Sequence, residues 1–148
     1  MKTEKFGTVL GMAPGNVAVY SSDYDSADAG EFPNRQAYRS FIDGVFMGYK
    51  WQCVEFVRRW LYLNRSYVFA DIPMAYDIFR LRSVRNQIDG GELPLCSFKN
   101  GARRPPEVGS LIIWDAAGEF AITGHVAIVT EVASDYIRVA EQNVDNQV

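Results

Sequence analysis

The sequence predicts an α+β fold, with helices in the first half of the chain packed on an antiparallel β-sheet built from the second half. Three observations predict it: an apolar stripe at helical spacing runs from Cys53 to Leu61, a second helical stripe opens at Asp71-Ile72-Pro73, and the chain from Ser110 onward consists of short apolar runs separated by turn residues. At 148 residues, 48% hydrophobic and 14% aromatic, there is apolar material for a single domain, residues 1–148, around one real core.

Residues 7–20 set Gly and Pro among Val9, Leu10, Val17, Val19 and Tyr20, the pattern of a short strand or two joined by the Ala13-Pro14-Gly15-Asn16 turn. Ser21 to Asn34 is polar and holds Asp23, Asp25, Asp28 and Glu31. Their spacing does not fit a twelve-residue calcium loop closed by a bidentate Glu, so the stretch reads as a solvated surface loop. Gln36 to Val45 reads as a short helix through Ala37, Tyr38, Phe41 and Ile42.

The next helix carries the residue that most needs explaining. Counted from Cys53, Phe56, Val57, Trp60 and Leu61 fall at i+3, i+4, i+7 and i+8, which places a thiol at the start of a core-facing stripe. Unpaired N–H groups and the positive end of the macrodipole favour an anion there, so a thiolate should form more easily than in water. A free cysteine is also commonly a small buried hydrophobe. What separates the two readings is the single histidine of the chain, His125, which supplies a base for that thiol.

Asp71-Ile72-Pro73 has the form of an N-cap and an early helical proline, opening a helix through Ala75, Ile78, Phe79 and Arg82 that ends at Asp89-Gly90-Gly91. Arg80, Arg82 and Arg85 form its solvated face. After the polar loop Asn100–Pro106 come three strands: Ser110–Trp114, His125–Val132 and Tyr136–Gln142. A regular hairpin at Ala133-Ser134-Asp135 sets Val132 opposite Tyr136, Ala127 opposite Glu141 and His125 opposite Asn143. Glu141 is then a diagonal neighbour of His125, roughly 7–8 Å away between backbones, a gap its side chain can close.

Thiol, imidazole, carboxylate and carboxamide together make the nucleophile, base and orienter set of cysteine acyl-transfer enzymes. The Cys53 N–H and Gln52, which otherwise reads as a surface amide near a helix cap, are candidate oxyanion donors. A net charge of −3 and a pI near 5.1 speak against a nucleic-acid binder and suit a cationic substrate. No segment has the length and apolarity of a membrane span, and the start, Met1 to Gly7, lacks a signal-peptide pattern. Two widely spaced cysteines, Cys53 and Cys96, make neither a disulfide framework nor a zinc motif. The expectation is a reduced, cytoplasmic protein without metal or cofactor.

Trp51-Gln52-Cys53-Val54-Glu55-Phe56, Gly124-His125-Val126-Ala127-Ile128-Val129 and Glu141-Gln142-Asn143 resemble the CHAP amidases, papain-like enzymes whose cysteine comes early and whose histidine starts a sheet strand. Phe6 to Gly11, Ala13-Pro14-Gly15 and Leu111 to Asp115 are similar to the amidase domain of glutathionylspermidine synthetase/amidase and trypanothione synthetase, so that the resemblance spans nearly the whole chain. It implies a papain-like CHAP fold and hydrolysis of a glutathione–spermidine amide through a thioester. Cys53 is then the nucleophile, His125 the base and later acid, and Glu141 the orienting acid; Gln52 and Asn143 support them and Arg58 touches the substrate. The partner implied is a small-molecule glutathione–polyamine conjugate. The bifunctional members add an ATP-dependent ligase domain, which is not found within residues 1–148, and their amidase domain continues past the position of Val148. A domain lacking that C-terminal portion should expose a sheet edge open to self-association. The competing readings are a CHAP-type peptidoglycan amidase or endopeptidase, and a non-catalytic binding domain of the same fold.

Overall fold

A computed structural model describes residues 3–144. The chain opens with a hairpin, β1 (Val9–Ala13) and β2 (Val17–Tyr20), turned where expected, with Asn16 N–H donating to Ala13 O at 3.1 Å. The acidic stretch that follows is loop with a single 3₁₀ turn, Tyr24–Ser26.

The helix expected over 36–45 does not form. A 3₁₀ turn, Arg35–Tyr38, leads into a second hairpin of β3 (Arg39–Ile42) and β4 (Val45–Tyr49). Ile42 pairs directly with Val45, and Asp43 and Gly44 between them have φ of 51° and 77°. Two consecutive left-handed residues make the two-residue turn whose twist matches paired strands, and Asp-Gly is among its preferred sequences.

The helix through Cys53 does form, as α1 (Cys53–Arg65). Gln52 is extended and its carbonyl accepts from Phe56 N–H at 3.2 Å, which starts the helix; Ser66 in the left-handed region stops it. Phe56, Val57, Trp60 and Leu61 are all buried, in one cluster with Val17, Phe69, Ile78, Val126 and Ile128. Each such side chain removed from water is worth roughly 1.5–3 kcal/mol, so this stripe anchors the fold. Gly48 of β4 lies against the first turn of α1: its φ is +130°, and a Cβ there would stand 3.1 Å from Glu55 Cβ.

Beyond β5 (Tyr67–Val68), the long second helix is replaced by a 3₁₀ segment, Ala75–Arg80, and a hairpin of β6 (Ser83–Asn86) and β7 (Glu92–Pro94). Only Ala75 and Ile78 of the 3₁₀ segment are buried, enough for one turn. Asp89-Gly90-Gly91 closes a hairpin rather than a helix, with Asn86 N–H donating to Gly91 O at 2.8 Å.

The last sheet has β8 (Leu111–Trp114), β9 (His125–Val132) and β10 (Ile137–Ala140) in the order β10-β9-β8, all antiparallel. Its register departs from the expected one near the turn, where Val132 pairs with Ile137 rather than Tyr136. A shift between Arg138 and Val139, with Thr130 as the extra residue, then pairs Val139 with Val129 and Ala140 with Ile128. That bulge restores the register which, continued one step, faces Glu141 with Ala127. The architecture is the expected α+β class, one long helix against small antiparallel sheets. The shortened end expected at Val148 lies outside the described residues.

Candidate active site

Cys53 is the first residue of α1 and His125 the first of β9, and both are buried. Packing of α1 on β9 brings the two residues together: the backbone N–H of Val126, next to His125, is hydrogen-bonded to the Cys53 thiol. His125 Nε2 lies 2.8 Å from Glu141 Oε2. An ionised carboxylate only accepts, so Nε2 carries the proton and Nδ1 is the ring nitrogen left as acceptor. Phe120 stacks on the imidazole at 4.6 Å between centroids, and Trp114 packs beside it at 5.4 Å. Gly124 makes the strand entry: its φ is +66°, and a Cβ there would collide with the Trp114 carbonyl oxygen.

Burial pushes the Cys53 thiol above its ordinary value of 9.0. The N–H groups of Val126, Val54 and Cys53 itself pull it down and the Glu141 charge pushes it up, and burial outweighs the donors. Burial thus works against the easily formed thiolate expected from the helix start. Alkylation of Cys53 by iodoacetamide, followed by peptide mass spectrometry, should accelerate with rising pH and reach half its limiting rate above 9.0. A rate already at its plateau by about pH 7 would mean a resting thiolate instead.

The supporting residues are less uniformly placed. Gln52 caps α1 and is exposed, and its side chain hydrogen-bonds the Tyr24 hydroxyl. Burial raises that hydroxyl to about 12. Asn143 does not continue the ladder opposite His125: hydrogen-bonded pairing ends at Ala140, Asn143 has φ 66°, and its Oδ1 accepts from Ser22 Oγ at 2.5 Å. Arg58 is buried on the far side of α1 over the rings of Phe46 and Phe69. Its Nη1 stands 3.5 Å from Asp71 Oδ1, an ion-pair distance without a hydrogen bond, and among the described residues neither Nε nor Nη1 has a hydrogen-bond partner. Burial pulls the Arg58 pKa down and Asp71 opposes it. Asp71, expected as a helix cap, is instead this counter-ion.

Trp51 stacks on Tyr20 at 4.0 Å, as wall rather than contact group. Phe120 escaped the sequence reading because it lies in a loop without periodicity; an aromatic five residues before a lone histidine was the available signal. A groove of about 710 Å³ along β8, holding Arg80 and Lys99, meets the site at Trp114. Another, of about 740 Å³, runs beside Cys96 and reaches neither Cys53 nor His125. Among the described residues no cluster of His, Cys, Asp and Glu could hold a metal ion, and no helix is long and apolar enough to cross a membrane.

The CHAP domain profile matches residues 44–143, which contain all of these groups. The chain belongs to the CHAP domain family. Beyond the family, this CHAP domain is 54% identical over 139 residues to the bifunctional glutathionylspermidine synthetase/amidase of Escherichia coli, covering 94% of this chain and 22% of that protein. It is 40% identical to trypanothione synthetase of Crithidia fasciculata over 138 residues, 93% of this chain and 20% of the relative. With glutathionylspermidine synthase of the same organism it shares 33% identity over 156 residues, 93% and 21%. The CHAP domain thus spans about a fifth of the length of these relatives.

Proposed function

We propose that this CHAP domain is a cysteine amidohydrolase that cleaves the amide between glutathione and a polyamine, glutathionylspermidine or a related conjugate. The observation that carries the reading is the 2.8 Å contact of His125 Nε2 with Glu141, which leaves Nδ1 basic on the strand packed against the Cys53 thiol. Relatives named for glutathionylspermidine and trypanothione, one of them an amidase, support the substrate class. A net charge of −3 suits a polyamine cation, and two free cysteines fit a reducing, cytoplasmic setting.

In this reading His125 takes the Cys53 proton as Sγ attacks the glycyl carbonyl carbon of the conjugate. The oxyanion accepts from the Cys53 N–H and from Gln52. Collapse breaks the C–N bond, and the imidazolium gives its proton to the departing amine. A water, deprotonated by His125, then hydrolyses the thioester, releasing the glutathione carboxylate and restoring the thiol. Glu141 holds the ring and stabilises its charged form. Asn143 braces the segment that carries Glu141.

The test is mass spectrometry of the protein with glutathionylspermidine. Release of spermidine and glutathione in equal amounts, with a transient glutathionyl thioester on Cys53, is expected. Cleavage of a peptidoglycan stem peptide in place of the conjugate would move the protein to the cell-wall branch of the family. Absence of both activities, with Cys53 intact and unacylated, would leave a binding domain.

A further inference from the structure

Glu141, Gln142 and Asn143 leave the end of β10 in three directions, and Gln142 is the one that turns inward. It is buried at 2% exposure between two residues already engaged, Glu141 with His125 and Asn143 with Ser22. Its carboxamide is fully used. Oε1 accepts from Tyr20 N–H at 2.9 Å and from Arg59 Nη2 at 3.2 Å, and Nε2 donates to Gln52 O and to Glu55 Oε2, each at 3.1 Å. An amide has two donor hydrogens and two acceptor lone pairs, so no site is left over.

The bond to Gln52 O matters most. That carbonyl belongs to the residue before Cys53 and also accepts the first bond of α1 from Phe56. Gln142 therefore joins the peptide entering the thiol-bearing turn to the residue next to the imidazole's carboxylate. Glu55 and Arg59 keep it in place: Arg59 Nε donates to Glu55 Oε1 at 2.8 Å, and Ser40 Oγ donates to the same oxygen at 3.1 Å.

We propose that Gln142 is a positioning residue for the acyl-transfer chemistry, its buried carboxamide tying the Glu141 segment to the Gln52 backbone and so setting the thiol against the imidazole–carboxylate pair. The inference rests on the function proposed above for its kinetic readout, but not for its spectroscopic one. His125 is the only histidine of the chain, so its ring nitrogens can be followed alone by NMR. The contact of Nε2 with Glu141 Oε2 favours the tautomer with its proton on Nε2.

Gln142→Asn keeps the amide and shortens its reach by one carbon, so it cannot hold Gln52 and Glu141 at the same spacing. The expected result is a folded protein in which His125 loses its single Nε2–H tautomer, kcat falls about 10- to 100-fold, and KM changes less than about twofold. A lowered melting point with the tautomer and kcat kept would overturn the proposal and leave Gln142 a packing element. If Gln142→Asn does not fold, the double variant Glu55→Gln with Gln142→Glu decides. It keeps one carboxylate beside Arg59 and a bond between positions 55 and 142, and removes the donation to Gln52 O together with the Arg59 Nη2 bond to position 55; the same tautomer loss is expected, and a native tautomer overturns the idea. A wild-type protein inert towards glutathionylspermidine would defeat the proposed function, while the His125 spectra would still decide the role of Gln142.

Discussion

Cys53→Ala is expected to lower turnover of glutathionylspermidine by at least about 10³-fold while the protein keeps its fold. The loss follows from chemistry: Cys96, the only other cysteine, is exposed in a groove that reaches neither Cys53 nor His125. Retention of fold follows from packing, because the replaced group is one small atom at the end of a stripe whose bulk comes from Phe56, Val57, Trp60 and Leu61. Cys96→Ala should leave turnover unchanged. Glu141→Ala should fall between the two, since the carboxylate acts through the imidazole and does not bond to the substrate. Steady-state assays of the three variants beside circular dichroism check this; comparable turnover in Cys53→Ala would end the thioester mechanism.

Glu55→Ala should cost about 3–5 kcal/mol of stability. Glu55 is fully buried and holds Arg59 by two contacts, Nε at 2.8 Å and Nη2 at 3.3 Å, while also accepting from Ser40 and Gln142. Removing it strands the Arg59 guanidinium without its counter-charge and leaves two further buried donors short of a partner. In a domain of this size the loss corresponds to a melting point lower by roughly 10 °C or more. Urea denaturation followed by tryptophan fluorescence measures it directly, and an unchanged midpoint would mean that Arg59 finds another anion or reaches water.

Both misread helices share one cause. The stretches around 36–45 and 71–86 carry apolar residues at helical spacing, yet each runs into an Asp-Gly pair, Asp43-Gly44 and Asp89-Gly90, that closes a hairpin. Asp-Gly between apolar residues is a strong short-range hairpin signal, and giving it precedence over an ambiguous ten-residue period would have recovered β3–β4 and β6–β7. The β10 register had no such marker: the bulge at Thr130 answers to sheet twist and packing, which leave no trace in adjacent residues.

The apolar stripe of α1, the first and last hairpins, and the presence of one thiol, one imidazole and a carboxylate within reach of it were readable from the sequence alone. Those features depend on periodicity and turn chemistry among residues a few positions apart, so they survive without knowledge of the fold. Tertiary structure alone decided that Glu55, Arg58 and Arg59, three charged residues on consecutive faces of α1, are all buried. It decided too that burial raises the pKa of the Cys53 thiol, and that Gln142 rather than Asn143 reaches the start of α1. Burial and charge pairing depend on which distant segments close over a side chain, and the partners of Gln142 lie 83 to 122 residues away in the chain. Their energies exist only once the core has assembled, which is why no local pattern announces them.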